Sequence, residues 1–253
     1  MATAHLMEEM TWPEVAQAAT SNLPVILAMG STEQHGPHLP LGTDVLIPLA
    51  IAREAAKQLD VVIAPAVHFG AMSRPLSGGG ESFPGTLSLR AGTLITTVEE
   101  VLSGLARAGF RRICLQNWHY ENAAYLWEAA DLTSNRYPGV RMLILENPFP
   151  EFTDSQLAEV FPKGFPGWDV EHASIIETSL MYVIRPDLVR RDKIADDQAK
   201  RHPAWDVVPA PADFIPKSGV LWHPTEASEA IGHMVLKMLG DHLVKALRTE
   251  FGL

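Results

Sequence analysis

Short unbroken apolar runs and longer stretches of helical spacing take turns along this chain. Leu23-Pro24-Val25-Ile26-Leu27-Ala28-Met29 predicts a buried strand over Val25 to Met29 that ends in a polar, Gly-rich loop. Val61 to Ala66, Phe110 to Asn117 and Val140 to Leu145 predict three more strands. Thr11-Trp12-Pro13-Glu14 reads as a helix start, with Thr11 as cap and Pro13 in the first turn. Val45 to Leu59 has helical spacing, with Pro48 tolerable only near its beginning, and Ala91 to Ala108 is an amphipathic helix ended by Gly109. Ala123 to Asn135 is helical, and Asp169 to Leu180 starts polar and becomes apolar at helical spacing. Thr225 to Phe251 carries a long stripe of Ile231, Val235, Leu236, Leu239, Leu243 and Leu247. Pro and Gly interrupt Glu146 to Trp168, which reads as a flap over the strand ends, and Pro203 to Pro224 is irregular. The alternation predicts one α/β domain over residues 1–253 with a mostly parallel sheet.

Composition narrows the partners. A formal net charge of −10 disfavours nucleic acid, which needs a basic face. No apolar run approaches the ~20 residues of a membrane span, and Met1 to Glu14 has neither a basic start nor an apolar core of a leader, so a cytoplasmic protein is expected. The single cysteine, Cys114, lies between Ile113 and Leu115 in a predicted strand and reads as a packing residue.

The candidate chemistry sits at two strand ends. After the first strand comes Gly30-Ser31-Thr32-Glu33-Gln34-His35-Gly36-Pro37-His38-Leu39-Pro40-Leu41-Gly42-Thr43-Asp44. Alternate side chains of an extended segment point the same way, so Glu33 and His35 can face one site, and the Gly/Pro-rich turn can return Asp44 to it. An acidic residue at the start of a helix is also favoured by the helix dipole, which gives Asp44 a plain capping role as well. The strand ending at Asn117 opens into Trp118-His119-Tyr120-Glu121-Asn122, where His119 and Glu121 repeat the same spacing.

Mixed imidazole and carboxylate ligands suit Zn²⁺ or Mn²⁺. Five of them exceed one four-coordinate site and fit two ions sharing Asp44, a pair that can hold a hydroxide and polarise a carbonyl. His172, with Glu171 beside it, is the candidate proton shuttle, although Asp169 and Glu171 also read as helix caps. No Gly-x-Ser-x-Gly elbow and no P-loop is present, and the run Ser77-Gly78-Gly79-Gly80 reads either as a backbone cradle or as a surface turn.

The Glu33 to Asp44 loop, Ser77-Gly78-Gly79-Gly80, Phe83-Pro84-Gly85-Thr86 and His119-Tyr120-Glu121-Asn122 together resemble the creatininase (creatinine amidohydrolase) family over nearly the whole chain. Tyr120-Glu121-Asn122 and the segment Gly164 to His172 followed by Glu177-Thr178-Ser179-Leu180-Met181 resemble creatininase proper within it. The resemblance implies a three-layer α/β/α sandwich, a binuclear Zn²⁺ and/or Mn²⁺ site, and hydrolysis of the ring amide of creatinine or a related small cyclic amide. It implies Glu33, Asp44 and His119 on one ion and His35, Asp44 and Glu121 on the other. Ser77, Tyr120, Trp168, Asp169 and Glu171 would surround the substrate, with His172 as acid/base and a homohexamer as the assembly.

The chain departs from that pattern at two places: Trp118 stands where a small Gly precedes the metal-binding His, and Asn147-Pro148-Phe149 stands where the flap carries a second Trp. An indole at position 118 therefore reshapes the pocket wall or replaces the flap aromatic. The other expectations are a hydrolase of a formamide or short peptide-like amide, and a metal-binding scaffold without turnover.

Overall fold

The structure is a computed structural model that describes residues 4–74, 77, 79–146, 152–198, 205, 207–208 and 214–253. Gly78, the flap residues Asn147-Pro148-Phe149 and much of the Pro-rich segment before Pro224 lie outside the described residues.

Among the described residues, five strands form one sheet: β1 (Ala4–Leu6), β2 (Val25–Met29), β3 (Val61–Val67), β4 (Arg112–Asn117) and β5 (Arg141–Leu145), in the order β1-β3-β2-β4-β5. Every pairing is parallel. A parallel sheet must be covered on both faces, and the alternation of side chains shows how. Ile26, Ile63 and Cys114 point into one apolar layer, whereas Val25, Leu27, Val62, Ile113 and Leu115 point into the other. The first layer is closed by α2 (Thr43–Ala55), α6 (Ile175–Ile184) and α7 (Glu229–Phe251), and the second by α1 (Trp12–Thr20), α3 (Ala91–Arg107) and α4 (Ala123–Arg136). The result is the expected α/β/α arrangement. Cys114 is fully buried in it, and burial pushes its thiol well up from the usual range, as suits a packing residue.

The local signals explain most boundaries. Thr11 and Glu14 form a capping box at α1. Gly109 takes a positive φ of 104° just after α3, where the chain leaves the helix. Three features differ from the pattern-based expectation. A three-residue strand, β1, adds to the sheet edge and is too short to leave a periodic signal. The expected flap contains a helix, α5 (Asp154–Val160), started by a Thr153/Gln156 capping box. Finally, α7 begins at Glu229 with Ser228 as its cap, because a 3₁₀ turn over Pro224–Glu226 takes up the preceding residues.

The connections place the site. From β2 the chain runs through α2 to β3 on one side, then returns through α3 to β4 on the other side of β2. The adjacent strands β2 and β4 thus form the switch point where open α/β sheets hold their ligands. α6 is seated against α7 at Gly232, where a Cβ would overlap the Ser179 carbonyl oxygen in a turn of α6. Gly232→Ala should therefore cost about 1–3 kcal/mol of stability through overpacking, read as a lower denaturant midpoint at unchanged slope.

Candidate metal centre

Met29 at the end of β2 is paired with Asn117 at the end of β4, so the two ligand-bearing loops open side by side. The Asn122 side chain ties them together by donating to the Gly30 carbonyl at 3.1 Å and to Asn117 Oδ1 at 3.2 Å. It also accepts from the Ala71 N–H at 2.8 Å, which draws in the loop after β3. Asp44 lies in the first turn of α2 and is buried, as are Glu33, His35 and His119.

Each of these histidines has one ring nitrogen committed to a backbone carbonyl. His35 Nδ1–H donates to the Glu33 carbonyl at 3.0 Å, and His119 Nε2–H donates to the Ala71 carbonyl at 2.9 Å. The opposite nitrogens face carboxylates. His35 Nε2 lies 3.0 Å from Asp44 Oδ1 and 3.6 Å from Glu177 Oε2. His119 Nδ1 lies 3.1 Å from Glu33 Oε2 and 3.2 Å from Asp44 Oδ2. A lone pair facing two anionic oxygens in a desolvated space needs a proton or a cation between them. Asp44 presents one oxygen to each imidazole, so it bridges the two halves of the cluster.

Among the described residues, two groups of three side chains have ligand atoms within 4.8 Å of one another: Glu33, Asp44 and His119, and His35, His172 and Glu177. The first coincides with one expected ligand set. In the second, the structure brings Glu177 to His35, while Glu121 belongs to neither group. Glu121 Oε1 accepts from Ser77 Oγ and from the Arg74 N–H, and its Oε2 is buried with no hydrogen bond among the described residues, 3.6 Å from His119 Nε2. Pattern reasoning missed three contributors. Glu177 was hidden at the start of an apolar helix; its one signal was a lone acid in that run. Gln34 was overshadowed by its neighbours. Ser73 donates to Glu33 Oε1.

The remaining expected residues line the same cleft: Ser77, Trp118, Tyr120, Trp168, Asp169, Glu171 and His172. Trp168 is embedded among Phe152, Phe161 and Phe165 at centroid distances of 5.7, 6.2 and 4.6 Å. Glu171 Oε1 accepts the Ile176 N–H at 2.7 Å, so this carboxylate also caps α6. The Gln34 amide has a fixed direction, because its oxygen accepts from Gly36 N–H at 2.9 Å and its nitrogen donates to the Gly219 carbonyl at 3.0 Å. The same nitrogen donates to His172 Nε2 at 2.8 Å, which leaves the hydrogen of the neutral ring on Nδ1.

Electrostatics express the same crowding. Burial pulls the His35 imidazole down, but the Asp44 and Glu177 carboxylates override it and hold it well above its usual range. Burial likewise opposes protonation of His119, and Glu33 and Asp44 outweigh it. Burial raises Glu171, and the Glu177 carboxylate raises it further.

A family model described as creatininase, creatinine amidohydrolase, matches residues 8–247. The chain belongs to the creatininase family. Within it, the chain is 35% identical over 257 residues to the creatinine amidohydrolase of Pseudomonas putida, with 99% of each chain covered. It is 30% identical over 258 residues to the mycofactocin precursor peptide peptidase of a Mycobacterium tuberculosis strain, covering 92% of this chain and 89% of the relative. A solved manganese form of creatininase matches with a TM-score of 0.93 at 34% identity over 99% of this chain and 100% of the other. A mutant creatininase complexed with creatine matches with a TM-score of 0.92 at 33% identity over 99% and 100%. A family member with this donor set is a hydrolase with two candidate metal-binding groups.

The raised imidazoles set a pH dependence for the chelator-treated protein. An unfolded His titrates near 6.5, so His35 and His119, both held higher when folded, contribute stability that is fully present below about pH 6.5 and lost as pH rises through their folded values. The unfolding midpoint of the metal-free protein should fall between about pH 6.5 and 9. With excess Mn²⁺ or Zn²⁺, which displaces those protons, the fall should vanish or reverse.

Proposed function

We propose that this chain hydrolyses the ring amide of creatinine, reversibly giving creatine, or that of a closely related small cyclic amide, using two divalent ions, Zn²⁺ and/or Mn²⁺. The observation that carries the reading is the pair of imidazole lone pairs, on His35 and His119, each aimed at two carboxylate oxygens with Asp44 shared. The donor set fits: buried oxygens of Asp44, Glu121 and Glu171 have no hydrogen-bond partner among the described residues. Glu33, Asp44 and His119 would hold one ion, and His35, Asp44 and Glu121 the other, with Glu177 facing the His35 side of the centre. Bound there, such ions polarise a carbonyl and bring the pKa of water toward ~7.

The chain's own residues do the rest. In the hydrolysis, oxygen from water joins the carbonyl carbon, the ring C–N bond breaks, and the departing nitrogen takes a proton. His172 is the group to carry it: it would take up the proton released as water adds to the carbonyl and pass it to the departing nitrogen, with the Gln34 amide beside its ring. Ser77 has its hydrogen committed to Glu121, so it meets a substrate through its oxygen lone pairs. Trp168, packed rigidly among three Phe rings, suits a flat, partly cationic ring stacked on it. Tyr120 and Asp169 complete the wall, and Glu121 keeps a carboxylate oxygen available for proton transfer.

A second reading, a short peptide-like amide, is favoured by the peptidase relative and by a hollow that adjoins the cleft. Met72, Arg74 and Tyr125 line this hollow, and it shares Tyr120 and Glu121 with the cleft. Turnover of creatinine, other cyclic amides and short peptides by the metal-loaded protein separates the readings. Preference for a peptide over creatinine would reject the first, and no turnover by a fully loaded protein would favour a scaffold.

His172→Ala should keep its metal while turnover falls about 10²–10⁴-fold; unchanged turnover would reject the shuttle. Asp44→Ala should lose both ions in elemental analysis, and retention of two would refute the bridge.

A further inference from the structure

Trp118 stands at the end of β4 and touches the candidate centre from an unexpected direction. Its backbone N–H donates to the Met29 carbonyl at 3.0 Å, which locks the residue to the end of β2. Its side chain is buried in the core layer beneath α2, α6 and α7, with one edge in the cleft. The indole N–H donates to Glu177 Oε1 at 2.9 Å. The other oxygen of Glu177 accepts the Ala173 N–H at 2.6 Å and lies 3.6 Å from His35 Nε2. Ala173 reaches this position with a left-handed backbone, φ 51°, although it is not a glycine.

A glutamate has three rotatable bonds, and a first-turn position on α6 does not by itself decide where its carboxylate points. Two donors decide it here. Indole is a donor with no acceptor capacity, so it holds Oε1 without competing for a cation.

We propose that Trp118 is a positioning residue that fixes the Glu177 carboxylate toward His35 and so sets the affinity of that half of the centre for its ion. This inference rests on the two-ion reading above. Partners of this kind typically govern metal affinity by 10–100-fold.

The test is a metal titration of the chelator-treated protein against a competing chelator, with Zn²⁺ or Mn²⁺ alone as the probe and no activity measurement. Trp118→Phe keeps a ring in the core and removes the N–H. The second equivalent should bind about 10–100-fold more weakly while the first is unchanged. In a Glu177→Ala background, Trp118→Phe should add nothing. Equal weakening of both equivalents would mean a general disturbance and would overturn the proposal, as would wild-type affinity for both. If the wild-type protein takes up only one ion, the two-ion reading fails and carries this inference down with it; two ions in the wild type and two at unchanged affinity in Trp118→Phe sink only the inference.

A measurement on the wild-type protein guards against a variant that does not fold. Of its six tryptophan indole N–H resonances, one should move with the second equivalent and not with the first. Absence of such a signal would overturn the role.

Discussion

The arrangement of this molecule turns on one buried carboxylate, Asp44, held between two imidazoles that are themselves pinned by backbone carbonyls. Around it Glu33, Glu121, Glu171 and Glu177 are also withdrawn from water. Concentrating so many acids in a low-dielectric space is costly unless positive charge accompanies them. His35 and His119 supply some of it as protons, and the lone-pair geometry shows where cations would replace those protons. A protein without a reason to gather cations would gain by replacing such a cluster with apolar side chains.

The cluster is held open by a scaffold that was built for other reasons. Parallel strands place loop starts next to one another at the switch point, which is why Glu33 and His119 meet although 86 positions separate them in the chain. Close approach does the fine placement. A Cβ at Gly80 would lie 2.6 Å from Glu33 Oε1, so the loop after β3 can lie over that side chain only with glycine there. The Ser-Gly-Gly-Gly run therefore earns its composition, at least at Gly80, from contact with a candidate ligand.

Much of this was legible in the chain. Strands read as unbroken apolar runs because both faces of a parallel sheet are covered; Glu33, His35 and Asp44 stood out because they follow such a run in a segment too rich in Gly and Pro to be helical, and His119 because it stands at a second strand end with Glu121 two positions on. Glu177 was not legible, since it occupies a helical position amid Ile175, Ile176 and Leu180 and is brought to His35 only by the docking of α6. Glu121, which its spacing from His119 did mark, lies in a 3₁₀ turn over Tyr120–Asn122, where Oε1 meets Ser77 and Arg74 and Oε2 stays on the side of His119. β1 and α5 escaped for a simpler reason: three and seven residues are too few to show a period.

The docking of α6 also makes the two halves of the centre unequal in what holds them. Asp44 and Glu33 share one short loop, so bringing them together closes little chain, and β4 pairs directly beside them. His35 meets Glu177, some 140 positions later, only because α6 is seated against α7 at Gly232. Loop closure grows only slowly with length, so the separation itself costs little. One half thus depends on strand pairing, and the half that Glu177 faces depends on helix packing as well.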